Sequence, residues 1–400
     1  MKVKSAVSAI FIGGLVLSLL SISLAVVDTR EVDEVIKKSV LTPQDLEVID
    51  RFILDAVQDI VQTDDFTQIA TIRTTVVSRQ HTQTQYAQKF SESAFKHISW
   101  GLQQAQGEAD PVRRFKVMAN LLILVDSLKD PRLVDLAIAS IPQDNNSVRY
   151  WAIRAATDAA LWTKISQNQA GAAQLAGRII AECRKVVKNS SSEVLNLMVD
   201  FAGRQNTPET ERLLMDVADE RARCYADWTV RYELADGAIL KLLANNLMAG
   251  ANPNPELARR FAQLYSFAIQ RYIKGQQQNA LRDNSRNYLA AVIAEVEDKC
   301  ISKLLGARQP TLTRAVQESN LDALQAEHDR LLGGTGQTGA LVTKLNIKYG
   351  NRPTPLLLPD PPASATAPAT PPSPQPAPQA GPQAGPQTTA PPTPQPTPKP

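Results

Sequence analysis

Two stretches of sequence decide the fold: Asp110-Pro111-Val112-Arg113 and Asn146-Ser147-Val148-Arg149. Each places a side chain able to cap a helix before a Val-Arg pair, and apolar residues at helical spacing follow. Val194 and Val230 occupy comparable places further along, so the spacings between the four valines are 36, 46 and 36 residues. Second helices are expected between them, near Pro131, Gln169, Pro208 and Pro255. The repeat predicts consecutive helical hairpins, each burying its apolar face only by stacking on its neighbours.

The same start signal occurs at other points of the chain. A capping residue precedes a proline, which suits the first helical turn because it lacks an N–H, in Thr42-Pro43, Asp130-Pro131, Thr207-Pro208 and Asn254-Pro255. We therefore expect an all-α protein made of stacked hairpins. N-terminal helices should occupy residues 28–108, and the helical-repeat body should occupy residues 109–332.

The sequence changes character after Leu332. Glycines crowd into the start of the segment 333–350 and interrupt the helical pattern, and alternating apolar residues at 345, 347 and 349 then predict one short strand or an extended strap. Residues 351–400 contain 19 of the 27 prolines. Proline removes backbone donors and most of the other residues are small or polar. We therefore predict a disordered tail of polyproline II character.

The first 27 residues have the features of an export leader. Lysines precede an uncharged apolar stretch over residues 5–27, and small residues at Ser23 and Ala25 predict cleavage after Ala25. If it is not cleaved, the stretch is long enough to anchor the chain in a membrane. In both cases the rest of the protein is expected outside the cytoplasmic membrane, in the periplasm or beyond the cell.

Composition argues against several classes of function. The 400 residues carry 43 Lys and Arg against 40 Asp and Glu, so no basic surface for nucleic acid is expected. Three His and three Cys are too few for zinc fingers, iron–sulfur clusters or a disulfide framework. Cys183 and Cys224 lie about one hairpin apart and could form a disulfide, with three separate buried thiols as the alternative. We predict no metal and no cofactor.

Short motifs match catalytic patterns without the context that those patterns need. Gly334–Gly339 fits G-x-G-x-x-G but follows a helix instead of a strand. Ser93-Ala94-Phe95-Lys96 fits the S-x-x-K of penicillin-recognising enzymes, but its partner motifs are missing. The histidines lack a second ligand one helical turn away: His81, His97 and His328. Carboxylates one turn apart are typical of solvated helix faces: Asp216 with Glu220, and Glu295 with Asp298. We therefore predict no catalytic residues.

The helix starts at 110–113 and 146–149 resemble those of HEAT-type repeats, over roughly residues 109–275. The resemblance implies an α-solenoid with an extended binding surface. Spacing alone is also compatible with tetratricopeptide-like or irregular α-superhelices.

Together these features favour an exported, non-enzymatic scaffold of the cell envelope that holds a protein partner on its concave face. One alternative is an exported glycan-processing enzyme of α/α-toroid type, with carboxylates from loops at Asp110, Asp144 and Asp227. Another is a purely structural envelope component.

Overall fold

A computed structural model describes residues 27–362, except positions 206, 250–253, 309 and 335. Its described residues form α-helices and two isolated bridges, with no β-strand among them. In chain order the helices are α1 (Arg30–Ile36), α2 (Pro43–Gln62), α3 (Phe66–Ser78), α4 (Thr84–Gln106), α5 (Pro111–Leu128), α6 (Val134–Ser140), α7 (Asn146–Thr157), α8 (Ala159–Ile165), α9 (Gln169–Val186), α10 (Ser192–Arg204), α11 (Pro208–Ala226), α12 (Leu234–Ala249), α13 (Pro255–Gln277), α14 (Asp283–Val296), α15 (Ser302–Leu305), α16 (Thr311–Gln317), α17 (Leu321–Leu332) and α18 (Ala340–Leu345). Two short 3₁₀ segments and one π-helical segment join them: Pro131–Leu133, Val187–Asn189 and Glu297–Ile301.

The helix starts predicted from capping residues and prolines are confirmed. Thr42 and Asp45 form a reciprocal capping box at α2, and Thr207 and Thr210 form one at α11. The side chain of Asp110 accepts a hydrogen bond from the backbone of α5. Two further caps precede the first 3₁₀ segment and α13: Asp130 and Asn254. Each cap stabilises its helix by about 1 kcal/mol because it satisfies an N–H that the helix cannot.

Helices pack mainly against helices that are near them in sequence. Such contacts join α2 to α4, α4 to α5, α5 to α7, α7 to α10, α10 to α11 and α11 to α13. Gly101 lets α4 approach α2 closely, since a Cβ there would lie 2.9 Å from the Val57 Cγ1 atom. Buried apolar side chains form one continuous core from Val27 to Leu358. The prediction of an all-helical, repeat-like fold is therefore confirmed.

The arginines of the first two Val-Arg pairs join the ends of neighbouring helices. Arg113 Nη2 donates to the carbonyl oxygen of Val61, in the last turn of α2, at 2.8 Å. Arg149 is buried and donates to the carbonyls of Gln143 at 2.9 Å and Asn189 at 2.6 Å. Carbonyls at helix ends lack intrahelical partners, and a guanidinium supplies several donors at once. The repeated arginine therefore has a structural role at these junctions.

The fourth repeated valine does not begin a helix, contrary to the prediction. Val230 lies in the loop before α12, where Trp228 and Tyr232 have left-handed φ angles of 56° and 52°. Left-handed residues cannot continue into an α-helix. The carbonyl of Arg231 accepts a hydrogen bond from Arg221 Nη1 at 3.0 Å, so contacts with α11 hold this loop conformation.

The segment after α17 also differs from the predictions. Residues 340–345 form α18 instead of leading into a strand, and Tyr349 makes only an isolated bridge with Arg352. Residues 353–362, predicted to begin the disordered tail, lie against α13 through hydrogen bonds to their main chain. We call residues 353–362 the C-terminal strap. Residues 363–400 lie outside the described part of the chain.

Candidate functional site: a groove along α13

One side of α13 carries a line of polar side chains: Gln263, Gln270 and Lys274. Their separations of seven and four residues place them on one face of the helix. Both glutamines are buried. A buried amide group is costly unless it is hydrogen-bonded. The main chain of the C-terminal strap supplies the partners, and we call this face of α13 the strap groove.

The two glutamines hold the strap by its backbone. Gln263 Oε1 accepts the N–H of Leu356 at 2.8 Å, and Gln270 Oε1 accepts the N–H of Leu358 at 2.7 Å. The carbonyl of Leu356 accepts from Gln270 Nε2 at 3.0 Å and from Gln263 Nε2 at 3.3 Å. These four bonds involve no side chain of the strap, so they would be available to any peptide with the same backbone path and no proline at the positions of Leu356 and Leu358.

Two further donors bind the second half of the strap. Lys274 Nζ donates to the carbonyl of Leu358 and to Oδ1 of Asp360, both at 2.7 Å. Trp228 Nε1 donates to the carbonyl of Pro359 at 3.0 Å. From Gln263 to Lys274 along α13, the contacted strap residues run from Leu356 to Asp360. The strap is therefore extended along the helix.

Burial along the strap repeats every three residues. Pro355 and Leu358 are buried, Leu358 with only 1% of its surface exposed, and Pro361 is partly buried. The intervening Leu356 and Leu357 are 45% and 79% exposed. A polyproline II helix has three residues per turn, so one of its faces recurs at this spacing. The strap therefore has the burial pattern of a polyproline-type ligand.

A chain of buried hydrogen bonds orients the Gln270 amide. Asp329 Oδ1 lies 2.8 Å from His328 Nδ1, His328 Nε2 lies 2.8 Å from Ser266 Oγ, and Ser266 Oγ accepts from Gln270 Nε2 at 2.8 Å. Burial lowers the pKa of His328, against the opposing effect of Asp329. A neutral imidazole that donates to Asp329 must accept the Ser266 proton. This order keeps Gln270 Nε2 as a donor and directs its Oε1 to the strap.

Ser266, His328 and Asp329 have the connectivity of a hydrolase triad, but their surroundings do not suit catalysis. Ser266 is 0% exposed and its oxygen is already engaged by Gln270. A pocket of about 640 Å³ lies between α13, α17 and the strap, and His328 and Asp329 line it but Ser266 does not. A substrate in the pocket would not reach the hydroxyl. We therefore assign the relay a positioning role for Gln270.

Buried charges support the loop that presents Trp228 to the strap. The Arg271 Cζ atom lies 5.0 Å from the centre of a Trp228 ring, and Arg271 Nη2 lies 3.7 Å from Glu233 Oε1. Arg221 makes two hydrogen bonds to Asp236, at 2.6 and 2.8 Å. Burial alone would lower the pKa of Arg221, but Asp236 outweighs it and raises the pKa. The pair is charged and joins α11 to α12 on either side of the loop.

The S-x-x-K residues meet at a carboxylate that joins two helices. Asp50 of α2 accepts from Ser93 Oγ at 2.8 Å and from Lys96 Nζ at 3.1 Å. Lys89 and His97 of α4 also contact it, each at 3.1 Å. Burial raises the pKa of Asp50, but the hydrogen bonds from Ser93, Lys96 and His97 outweigh it and hold the pKa well below its usual range. This arrangement is a tie between α2 and α4.

The other residues singled out from the sequence have separate local partners. Four carboxylates each pair with their own cation: Asp216 with Arg184, Glu220 with Arg223, Glu295 with Lys241, and Asp298 with Lys299. Of the three loop carboxylates, Asp110 caps α5 and Asp227 pairs with Arg223, whereas Asp144 is exposed. The Gly334–Gly339 segment lies between two helices, α17 and α18.

All three cysteines are free thiols in the structure. Cys183 and Cys300 are buried, which raises the pKa of Cys183 to about 12 and that of Cys300 to about 11, while Cys224 is partly exposed. No bond joins Cys183 to Cys224, and both are present as separate thiols.

Across residues 27–362, outside the gaps named above, no helix has the length and apolar character needed to cross a membrane. The same residues contain no group of three or more His, Cys, Asp or Glu arranged to hold a metal ion. The apolar stretch 5–27 and the predicted cleavage point after Ala25 lie outside the described residues.

Comparison of the chain with family models, with curated proteins and with solved structures found no match. Sequence reasoning missed the strap groove. Its signals were Gln263 and Gln270 seven residues apart in the apolar run of α13, and the leucines at 356–358 in a tail with no other large apolar residue.

Proposed function

We propose that this protein is an exported, non-enzymatic helical-repeat scaffold that binds other proteins in the cell envelope. The observation that carries the proposal is the strap groove, where Gln263 and Gln270 hold a stretched segment by its main chain. A surface that binds one segment through backbone groups has the donors and acceptors to bind another. Export is proposed from the leader-like sequence over residues 1–27.

We further propose that the hairpins stack as an α-solenoid of HEAT-like type. Packing between helices close in sequence supports this arrangement, as do Arg113 and Arg149 at successive junctions. A solenoid offers a long concave surface on which a protein partner can lie.

The scaffold is preferred to a glycan-processing enzyme because two of the three loop carboxylates have local structural partners. Asp110 caps a helix and Asp227 is paired with Arg223. A general acid and base for glycoside hydrolysis would instead need two carboxyl groups facing a shared cleft.

The test is an affinity capture from envelope extracts followed by mass spectrometry, with three forms of the protein. The full chain is compared with a chain ending at residue 362, which retains the strap, and with one ending at Asn351, which lacks it. We expect at least one protein to be recovered by all three forms, and in highest yield by the form ending at Asn351, because its groove is not occupied by the strap. The partner should then bind in purified form, measured by calorimetry. If no form retains a protein that binds on reconstitution, the scaffold proposal is wrong.

A further inference from the structure

We propose that the strap groove is a docking site for a polyproline-type peptide of a partner protein, and that the C-terminal strap occupies it in cis as a competing ligand. The strap defines the class of peptide: a proline and a leucine three residues apart, followed by a proline and an acidic residue, as in Pro355–Asp360. The inference rests on the proposed scaffold function and specifies the partner that this groove accepts.

Affinity and selectivity come from different contacts in the groove. The backbone bonds with Gln263, Gln270 and Trp228 require an extended main chain with carbonyls in register and an N–H at the positions of Leu356 and Leu358. The side chains of Pro355 and Leu358 are the buried anchors. Proline-rich ligands bind by this combination, because the polyproline II helix is already formed before binding and loses little entropy.

The acidic position is selected by Lys274. Its ammonium group contacts both the Leu358 carbonyl and the Asp360 carboxylate at 2.7 Å. A peptide with a basic residue in place of the acid would bring two like charges together at this point. The partner class is therefore a proline-flanked leucine followed by an acidic residue.

The rest of the proline-rich tail does not fit this description. Residues 363–400 contain no leucine, isoleucine or valine and no acidic residue. They cannot supply the buried anchor or the partner of Lys274. Residues 363–400 are therefore not a ligand of this groove.

The strap is suited to exchange with a partner peptide. Only a few of its side chains are buried, and Leu357 is 79% exposed. Segments with few buried apolar contacts open at a lower free energy than the core. Because residues 346–352 tether the strap to α18, its effective concentration at the groove is on the order of millimolar. Because the strap competes for the groove, a partner peptide must bind more tightly, or be present at a higher concentration, than it would need at an empty groove.

The test uses a fluorescent peptide of residues 352–362 titrated into full-length proteins and followed by polarisation. Leu358→Asp removes the buried anchor of the strap and should open the groove, so this variant should bind the peptide at least about 10-fold more tightly than the wild type. Leu357→Asp adds the same charge at the exposed neighbouring position and should match the wild type. A peptide carrying Leu358→Asp should not bind.

A second pair of variants tests whether the groove itself is the site. Adding Gln270→Leu to Leu358→Asp should weaken peptide binding at least about 10-fold, since one glutamine serves two strap residues. Adding Gln277→Leu, at an exposed position near the end of α13, should leave binding unchanged. Circular dichroism and thermal unfolding establish that all variants are folded.

Equal peptide binding by the wild type and Leu358→Asp would overturn competition in cis. No binding to Leu358→Asp, with fast hydrogen exchange showing that its strap is released, would overturn the docking site. That result would leave the scaffold proposal standing, because the affinity capture tests it separately. Light scattering tests whether a second copy of this chain is the occupant. If the wild type is a dimer and Leu358→Asp is a monomer, a second copy occupies the groove and the assignment to a partner protein is wrong.

Discussion

The α2–α4 junction and the strap groove are both held by polar side chains, but they bind different groups. At the junction, Asp50 accepts hydrogen bonds from the side chains of Ser93 and Lys96, so both partners are specified by residue type. In the groove, Gln263 and Gln270 bind N–H and carbonyl groups of the strap, which every residue except proline offers in full.

This difference separates architecture from recognition. A side-chain pair is lost when either residue changes, so it fixes how two helices of this chain meet. A side-chain-to-backbone contact survives changes in the bound segment and is therefore suited to exchange of ligands. Variants at the α2–α4 junction should accordingly destabilise the helical body, whereas variants in the strap groove should mainly release the strap.

The largest effect is expected for Asp236→Asn, which breaks the buried pair between α11 and α12. Asp236 is fully buried with Arg221, and loss of its charge would leave the guanidinium uncompensated. We expect a loss of about 3–5 kcal/mol in the free energy of unfolding, measured by urea denaturation. Asp283→Asn, in an exposed pair with Arg286, should change it by about 0.5 kcal/mol or less. Equal effects would mean that the buried pair is not a structural tie.

Asp50→Asn should destabilise the α2–α4 junction by about 1–3 kcal/mol, because hydrogen bonds to a charged acceptor are replaced by weaker ones. The matched control is Glu47→Gln, at an exposed position of the same helix. Since the folded protein holds the pKa of Asp50 below its usual range, this contribution is complete above about pH 4 and is lost as the pH falls further. A variant with unchanged stability at pH 7 would contradict the assignment.

Gln270→Leu should disturb the strap more than the body. We expect a loss of about 1–2 kcal/mol in unfolding free energy, together with at least about 10-fold faster hydrogen exchange at the amides of Leu356 and Leu358. Amides in the core of α4 should exchange faster only to the extent that global unfolding becomes more frequent. Continued protection of the two strap amides would show that Gln270 does not hold the strap.

The smallest expected effect is a dependence of stability on pH near neutrality. Burial lowers the pKa of His328 in the folded protein from its ordinary 6.5, so below pH 6.5 the unfolded chain binds a proton that the folded chain does not. Stability should decrease as the pH falls from 6.5 to 6.0, by about 0.7 kcal/mol at most for one proton. His328→Gln should remove this component in denaturation experiments at both pH values. An unchanged pH dependence in the variant would contradict the role assigned to His328.

Local signals in the sequence predicted the helices well. Thr42, Asp110 and Asn254 cap their helices through bonds to groups within three residues, so a short sequence contains both partners. The Val230 prediction failed because the conformation of that loop depends on Arg221 of α11, which the repeat spacing does not reveal.

The strap could not be predicted for the same reason. The side chains of α13 that bind its main chain lie 84 to 93 residues away in the chain. Composition correctly indicated that a proline-rich segment has few large apolar residues to bury. It contained no information that two distant glutamines would satisfy the main chain of Leu356 and Leu358.

The sequence by itself determined the all-helical class, the starts of the helices that have a capping residue before a proline, and the change of character after Leu332, because capping, periodicity and proline act over a few residues. Only the tertiary structure decided that Asp50 ties α2 to α4, that Ser266 and His328 orient Gln270, and that the strap lies in the α13 groove. Those features depend on groups far apart in the chain, and a buried polar group gains its partner only once the helices have packed.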